Sequence, residues 1–377
     1  MNLVTISTCS LNQWSLDYSG NYSRIKASIL EAKKRNSKIR VGSELEITPV
    51  LFKNLRYNCA IAFLNGRIEL IRPKIWMASD GNYRELRWFT PWPNNPNKSI
   101  ENMRLPSVIS SIYGQYEAPF GNFLLRSSDL FTLGIEICEE LFVPISQHSS
   151  MYIDGADIIV NPSGSHTELR KLHKRIDLIK QATQSCGGVY VYSNQRGCDG
   201  ERLYFDGSSM ILCNGKVYTI SDQFTLLDVD VSTATIDLEA VVSYRAAVPS
   251  IGAQSADSRI YPIINIDFDI CGVLNSPSSP IAVKYYTPEQ EINLGPACWM
   301  WDYLRRSKMG GFFLPLSGGI DSCSVALIAY SMCDIVYQSA QAGNQTVISD
   351  IRSIIGLPQG SDYIPSSPKE LSGYSLS

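Results

Sequence analysis

The chain has 377 residues, enough for two domains of roughly 100–200 residues each, and its 44% hydrophobic and 18% charged residues suit a protein that buries a core. With 33 basic against 36 acidic residues and a net charge of -3, nothing marks nucleic acid or a membrane surface as the partner, so a small-molecule ligand is expected. Ten cysteines without a CxxC pair and three histidines complete no zinc spacing, which predicts no metal site, free thiols and a reducing, cytoplasmic compartment; MNLVTISTCSLNQW lacks the features of a secretion signal, and no apolar run is expected to reach the about 20 residues of a membrane helix.

In chain order, β-type stretches occur at LVTIST, RVGSELEI, RYNCAIAFLNGRIELIR, FGNFLLRS, LFTLGIEIC, ADIIVNPS, GGVYVYSN and FDGSSMILCNGKVYTI. Between them lie NYSRIKASILEAKKRN and TELRKLHKRIDLIKQATQS, where apolar residues return every three or four positions as on a helix face. This alternation predicts an α/β fold. NGR at 65–67 and NGK at 214–216 are hairpin turn signals, so part of the sheet is expected to be antiparallel. From 246 to 285 the chain is rich in Ser, Pro and Ala and reads as a linker. Beyond it, PEQEINLGPACWMWDYLRRS predicts a helix, and GFFLPLSGGIDSCSVALIAYSMC predicts a strand, a glycine turn and a second helix. The tail after Asp334 shows no core of its own.

LFTLGIEIC ends at Cys138 and is followed by two carboxylates. A thiol attacks only as thiolate and needs a base or a cation beside it, and a lone cysteine is more often a small buried hydrophobe. GSELEI, however, puts Glu44 at the end of a β-type run, and LIRPKIW puts Lys74 at the end of another, where Pro73 stops the strand. Three strand ends can therefore deliver a carboxylate, an ammonium and a sulfur to one rim. With a glutamate in an ELE strand, a lysine after RP and a cysteine in CEE, in that order, the sequence resembles the carbon-nitrogen hydrolase (nitrilase) superfamily.

That resemblance implies a nitrilase-like α-β-β-α sandwich over residues 1–245. It also implies that Cys138 attacks a carboxamide, Glu44 takes the thiol proton and Lys74 stabilises the oxyanion. Glu85, in NYRELRWF, matches the superfamily's additional glutamate and would hold Lys74 or the base; the other reading is a surface ion pair with Arg84 or Arg87. The segments LNQWSLDYSGNYSRI, KNLRYNC, GNYRELRWFTPW, EICEELF, SGSHTELRK, NQRGCDGERLYFDG and SYRA are similar to the glutaminase part of glutamine-dependent NAD synthetases. By that likeness Tyr83, Ser165 and Lys171 would contact glutamine, although Ser165 in NPSGSH also suits a turn or a helix cap.

PLSGGIDS lacks the GK[ST] of a Walker A loop and resembles the SGGxDS pyrophosphate loop of ATP pyrophosphatases. The likeness implies that Pro315, Leu316, Ser317, Gly318, Gly319, Ile320, Asp321 and Ser322 line the phosphates of ATP, brought with Mg2+, with the backbone N–H groups of a helix start facing the anion. Residues 286–377 would then be an incomplete Rossmann-like ATP pyrophosphatase domain. The expected function is glutamine hydrolysis supplying ammonia for ATP-dependent amidation of deamido-NAD, by a homo-oligomer with no tightly bound cofactor. Two departures stand out. Glu44 and Lys74 are only 30 positions apart, fewer than the family shows, which predicts a lost helix, an exposed sheet face and a displaced Glu44. Only 55 residues follow Ser322, too few for several further βα units of about 30 residues, so the synthetase part is expected to be truncated and incomplete in activity. The alternative is a non-catalytic truncated form that assembles with or regulates a full-length enzyme.

Overall fold

The computed structural model describes residues 1–94, 100–258, 261–272, 275–358 and 360–375. The chain begins with β1 (Leu3–Leu11), α1 (Tyr18–Lys34), β2 (Ile39–Val41), β3 (Val50–Phe52), β4 (Leu55–Tyr57), β5 (Cys59–Leu64) and β6 (Arg67–Pro73). Next come β7 (Ile100–Arg104), α2 (Ser107–Tyr113), β8 (Glu117–Gly121), β9 (Leu124–Arg126), β10 (Thr132–Ile135), α3 (Gln147–Ile153), β11 (Ile158–Ser163) and α4 (Lys171–Cys186). They are followed by β12 (Val189–Asn194), β13 (Arg196–Cys198), β14 (Tyr204–Asp206), β15 (Met210–Cys213), β16 (Lys216–Ile220) and β17 (Val229–Asp237). Then α5 (Glu239–Ala246), α6 (Pro249–Ala256) and β18 (Ile263–Asn265) lead to α7 (Pro288–Ser307), α8 (Ile320–Gln341), α9 (Gln345–Ile354) and α10 (Pro368–Ser375).

The layers follow from side-chain alternation. In β12, Val189 and Val191 point into a core shared with Val4, Ile6, Leu133, Ile158 and Ile236, whereas Tyr190 and Tyr192 point the other way, against Met151 of α3 and Ile176 and Ile179 of α4. The first core lies between a three-stranded sheet, β17-β1-β2, and a seven-stranded mixed sheet, β16-β15-β12-β11-β10-β9-β18. On the outer side of β1, Ile25 and Ala32 of α1 cover Cys9 and Leu11. The result is helix, sheet, sheet, helix, the sandwich expected from the sequence. Both hairpin signals form two-residue turns with positive φ at each centre, Asn65 and Gly66 between β5 and β6, and Asn214 and Gly215 between β15 and β16.

The shortening after Glu44 has a definite structural outcome. Lys53 and Asn54, with φ of 49° and 63°, close a tight hairpin of β3 and β4. Strands β5, β6, β8 and β7 form a separate four-stranded sheet. In this region Ile47, Leu51 and Leu55, and Ile61 and Phe63 of β5, are exposed.

The segment from 246 to 285, read as a linker, holds regular structure and lies against the sandwich. It contains α6, β18 adds itself in parallel to β9 at the sheet edge, and the N–H groups of Ser278 and Ile281 donate to Thr235 and Val217. Its composition suggested a surface path, but edge pairing and buried anchors such as Ile270 fix it.

The C-terminal helices form a second unit. Trp301, Leu304, Met332, Val336 and Ile351 pack together and against Tyr204, Phe224 and Leu226 of the first. The strand expected ahead of the glycine loop is not formed: residues 313–317 are irregular, and Phe313 and Leu316 lie exposed. Ahead of them Phe312 alone makes a β-bridge, and a single bridge does not make a strand. α8 is also long and apolar enough to cross a membrane by length and composition, contrary to the sequence reading, because within the helix only Asp321 and Asp334 are charged. Here its Ala329, Met332, Cys333, Val336 and Ala340 are buried against the neighbouring helices.

Candidate active site

The Asn65–Gly66 turn sets the β5–β6 register so that Cys59 faces Pro73, which brings Asn58 beside Lys74; the Lys74 N–H donates to the Asn58 carbonyl at 2.8 Å. Pro73 ends the strand and the lysine side chain turns inward, 1% exposed. Its Nζ lies 2.7 Å from Glu44 Oε1 and 2.8 Å from Glu85 Oε2. The Asn58 amide donates to both carboxylates, at 2.6 Å to Glu44 and 3.0 Å to Glu85, and the Ala78 N–H donates to Glu85 at 2.6 Å. Glu85 therefore meets Lys74, and its ion pairs include neither Arg84 nor Arg87 among the described residues. Glu44 is not at a strand end: it occupies a turn three residues beyond β2. Even so, it reaches the lysine across the connection that the sequence reads as shortened.

Cys138 opens a 3-10 turn past β10 with φ of 44°, a left-handed conformation that costs a non-glycine residue energy and is kept only where its surroundings enforce it. Those surroundings are specific. The Cys138 N–H donates to Asn161 Oδ1 at 2.8 Å. Glu140 accepts from the N–H of Ile137 at 2.7 Å, from that of Ile75 at 2.6 Å and from Arg72 at 2.6 Å. One buried carboxylate thus ties the cysteine turn to the end of β6, locking Cys138 and Lys74 together.

Burial pushes the Cys138 thiol up to about 12, and the Glu44 charge adds to this, opposed by Lys74 and a hydrogen bond with Ser163. Burial disfavours the Lys74 charge, yet Glu44, Cys138 and Glu85 together hold its pKa well above the usual lysine range. Burial, then the Glu44 charge, raises the Glu85 carboxyl. The arrangement is a fixed ammonium between two carboxylates, next to a thiol that stays protonated until a base removes its proton.

Tyr83 donates its hydroxyl hydrogen bond to the Gly164 carbonyl and accepts from the His166 N–H at 3.1 Å. Ser165 is buried in the same loop, six residues before α4, with its hydroxyl accepting from Arg175 at 3.2 Å. Lys171, the first residue of α4, pairs with Glu168 at 3.3 Å; burial and Arg175 lower its pKa, and the Cys138 charge is among the influences on it. The structure so gathers Glu44, Lys74, Glu85 and Cys138, with Tyr83 and Ser165 on the loops beside them and Lys171 at the start of α4. Sequence reasoning passed over Asn58, Arg72, Glu140 and Asn161. The first was recoverable from the hairpin register and the next two from the charges flanking RP and CE, whereas Asn161 carries no local signal.

The loop from Pro315 to Ser322 is a different environment. Gly318 has φ of +81°, the Ser322 hydroxyl donates to the Gly319 carbonyl at 3.0 Å, and α8 begins at Ile320, so a helix start faces open solvent. Among the described residues no hydrogen bond or ion pair joins this loop to the cysteine site.

Comparison with known proteins accords with this geometry. The glutamine-dependent NAD(+) synthetase of Saccharomyces cerevisiae is 48% identical over 417 aligned positions, covering 98% of this chain and 58% of that protein. Since this chain has 377 residues, at least 40 of those positions have no counterpart in it, in keeping with the shortening. The chain thus spans little more than half the length of the curated relatives it matches. A crystal structure of a glutamine-dependent NAD(+) synthetase from Cytophaga hutchinsonii matches with a TM-score of 0.72 at 23% identity, covering 99% of this chain and 59% of the other. A glutamine-dependent NAD+ synthetase from Acinetobacter baumannii in complex with ADP matches with a TM-score of 0.61 at 17% identity, covering 88% and 58%. The carbon-nitrogen hydrolase family model matches residues 51–246, starting just after Glu44, so the position of that carboxylate rests on the geometry above. By this match over more than half its length, the chain belongs to the carbon-nitrogen hydrolase family.

Proposed function

We propose that the chain hydrolyses the side-chain amide of glutamine, and that the ammonia serves an ATP-dependent amidation of deamido-NAD. The observation that carries the reading is the buried Glu44–Lys74–Glu85 cluster whose charges act on the Cys138 thiol. A thiol held near 12 does not ionise by itself at neutral pH, so Glu44 takes the proton as sulfur attacks the carboxamide carbon. Lys74, already charged and pinned, stabilises the tetrahedral oxyanion, which collapses to a thioester as Glu44 passes the proton to the amide nitrogen and ammonia leaves. Glu44 then activates the water that releases glutamate. Glu85 and Asn58 hold Lys74 and Glu44 in place, and Tyr83, Ser165 and Lys171 take the amino-acid end of glutamine.

The relatives' names and the ADP-bound neighbour support ATP use at the Ser317–Ser322 loop, where the N–H groups of the α8 start would face the phosphates. Mg2+ would arrive with the nucleotide. The same reading carries a homo-oligomer in the cytoplasm with no tightly bound cofactor. The intact cluster supports an enzyme over the non-catalytic alternative. Glutamate and ammonia release from glutamine, measured against asparagine and simple nitriles, tests the proposal. Equal or faster turnover of the other substrates, or no release from glutamine, would overturn it.

A further inference from the structure

Glu44 lies in a turn with no strand ladder of its own, directly before the shortened connection, yet its carboxylate has to meet the lysine within hydrogen-bond distance. Its backbone is held from outside. The Glu44 N–H donates to the Ser163 carbonyl at 3.3 Å. The Glu44 carbonyl accepts from Gln195 Nε2 at 2.7 Å and from Gln13 Nε2 at 3.3 Å, and Gln13 also donates to the Leu45 carbonyl at 3.0 Å and accepts from the Ser43 hydroxyl. Gln13 therefore clamps residues 43, 44 and 45 with one amide.

Gln13 follows the last residues of β1 and is fixed in turn by α7 of the C-terminal unit. Arg306 donates to the Gln13 carbonyl at 3.3 Å and to the Asn12 carbonyl at 2.9 Å, and its guanidinium lies over the Trp14 ring, 4.4 Å from the centroid. One turn earlier, buried Asp302 accepts from Asn12 Nδ2 at 3.0 Å and from the Cys198 N–H at 3.2 Å. Arg305 joins Asp302 at 2.8 Å to Asp228 at 2.7 Å. A helix from one unit thus holds, through a single glutamine, the backbone of the carboxylate in the other. A shift of the order of 1 Å in a reacting group costs about 10²-fold in rate.

We propose that Gln13, held from α7 by Arg306, is a positioning residue for Glu44, so that docking of α7 is part of the amidohydrolase site. The inference rests on Glu44 acting as the base. It is tested on the whole chain by ammonia release from glutamine and by the rate at which iodoacetamide alkylates Cys138, resolved by peptide mass spectrometry.

Gln13→Leu should lower kcat about 10²-fold with KM within about twofold, and slow Cys138 alkylation toward the rate of Glu44→Gln. Added to Glu44→Gln, the same change should slow alkylation no further, as for two residues acting as one unit. Arg306→Met should act in the same direction, with Arg306→Lys restoring part of the loss by its charge without the guanidinium fork. Should Gln13→Leu fail to fold, Gln13→Glu keeps the shape and the acceptor for Ser43 but cannot donate to the Glu44 carbonyl. Wild-type kcat and alkylation in the Gln13 and Arg306 variants, a rise in KM alone, or a lower melting temperature with unchanged alkylation would each overturn the proposal. Alkylation of Glu44→Gln as fast as the unaltered chain would instead remove Glu44 as base, a result readable without any Gln13 variant.

Discussion

Two glycines show how differently the two candidate sites are built. At Gly164 an added Cβ would lie 3.1 Å from Glu44 Oε2 and 3.3 Å from Gln195 Nε2, so a larger residue would press on the carboxylate. At Gly318 an added Cβ would meet nothing within 4 Å; glycine is required there by φ of +81° alone. The first site is buried among the ends of β6, β10 and β11 and two loops. The second is a loop and a helix start with nothing opposite. A buried site fixes charge by excluding water, and its residues depend on one another. An exposed loop keeps its local geometry and depends on little else.

The comparison can be broken at the enclosed site first. Cys138→Ala should lower ammonia release by a factor on the order of 10⁴ or more while leaving the melting temperature nearly unchanged, because alanine fills most of the volume of the thiol. Retained release would show that the enclosed cluster is not the reacting centre. Next in size, Lys74→Met leaves Glu44 and Glu85 facing each other without their cation. It should destabilise the chain by about 3–5 kcal/mol as well as abolish turnover, read by denaturant unfolding. A stable Lys74→Met chain would mean that the carboxylates share a proton rather than a cation.

Gly164→Ala sharpens the contrast. The extra methyl should push the Glu44 carboxylate and lower kcat roughly tenfold or more, with less than about 1.5 kcal/mol lost in stability. Smallest is Asp321→Asn at the open loop, expected to change stability by no more than about 0.5 kcal/mol in thermal unfolding. A larger effect would show that the loop is held by contacts as the cysteine site is.

Alkaline pH tests the enclosure as a whole. The folded Cys138 thiol titrates at about 12 against 9.0 for a free cysteine, and burial also raises Cys198, Cys213 and Cys298 to about 12. Between pH 9 and 12 the unfolded chain loses these protons while the folded chain keeps them. Their contribution to stability is therefore complete below pH 9 and is lost as pH rises toward 12. Unfolding measured across that window should show a steady decline.

Much of the site was legible before the fold was known, and for local reasons. Pro73 stops a strand beside Lys74, CEE follows a buried run, and NG turns fix two registers, so the lysine could be placed on a strand end, whereas Cys138 opens a 3-10 turn three residues past β10. What misled was composition: the 246–285 segment reads as a linker although it completes a sheet edge, and FFLPL reads as a strand although only Phe312 makes a β-bridge. Whether a β-type run becomes a strand depends on a partner elsewhere in the chain, which local propensity does not record.

The sequence alone determined the order and type of the groups proposed to react, the hairpin turns and the layered α/β character, because each rests on residues within a few positions of one another. Only the tertiary structure decided that Glu44 reaches Lys74 across a shortened connection, that Asn58 bridges two carboxylates, that Glu140 ties the cysteine turn to β6, and that Arg306 of α7 steadies Gln13. These are contacts between side chains and backbone groups of segments brought together by packing. They leave no periodicity in the sequence, and they exist once the cores on either side have fixed where each strand ends.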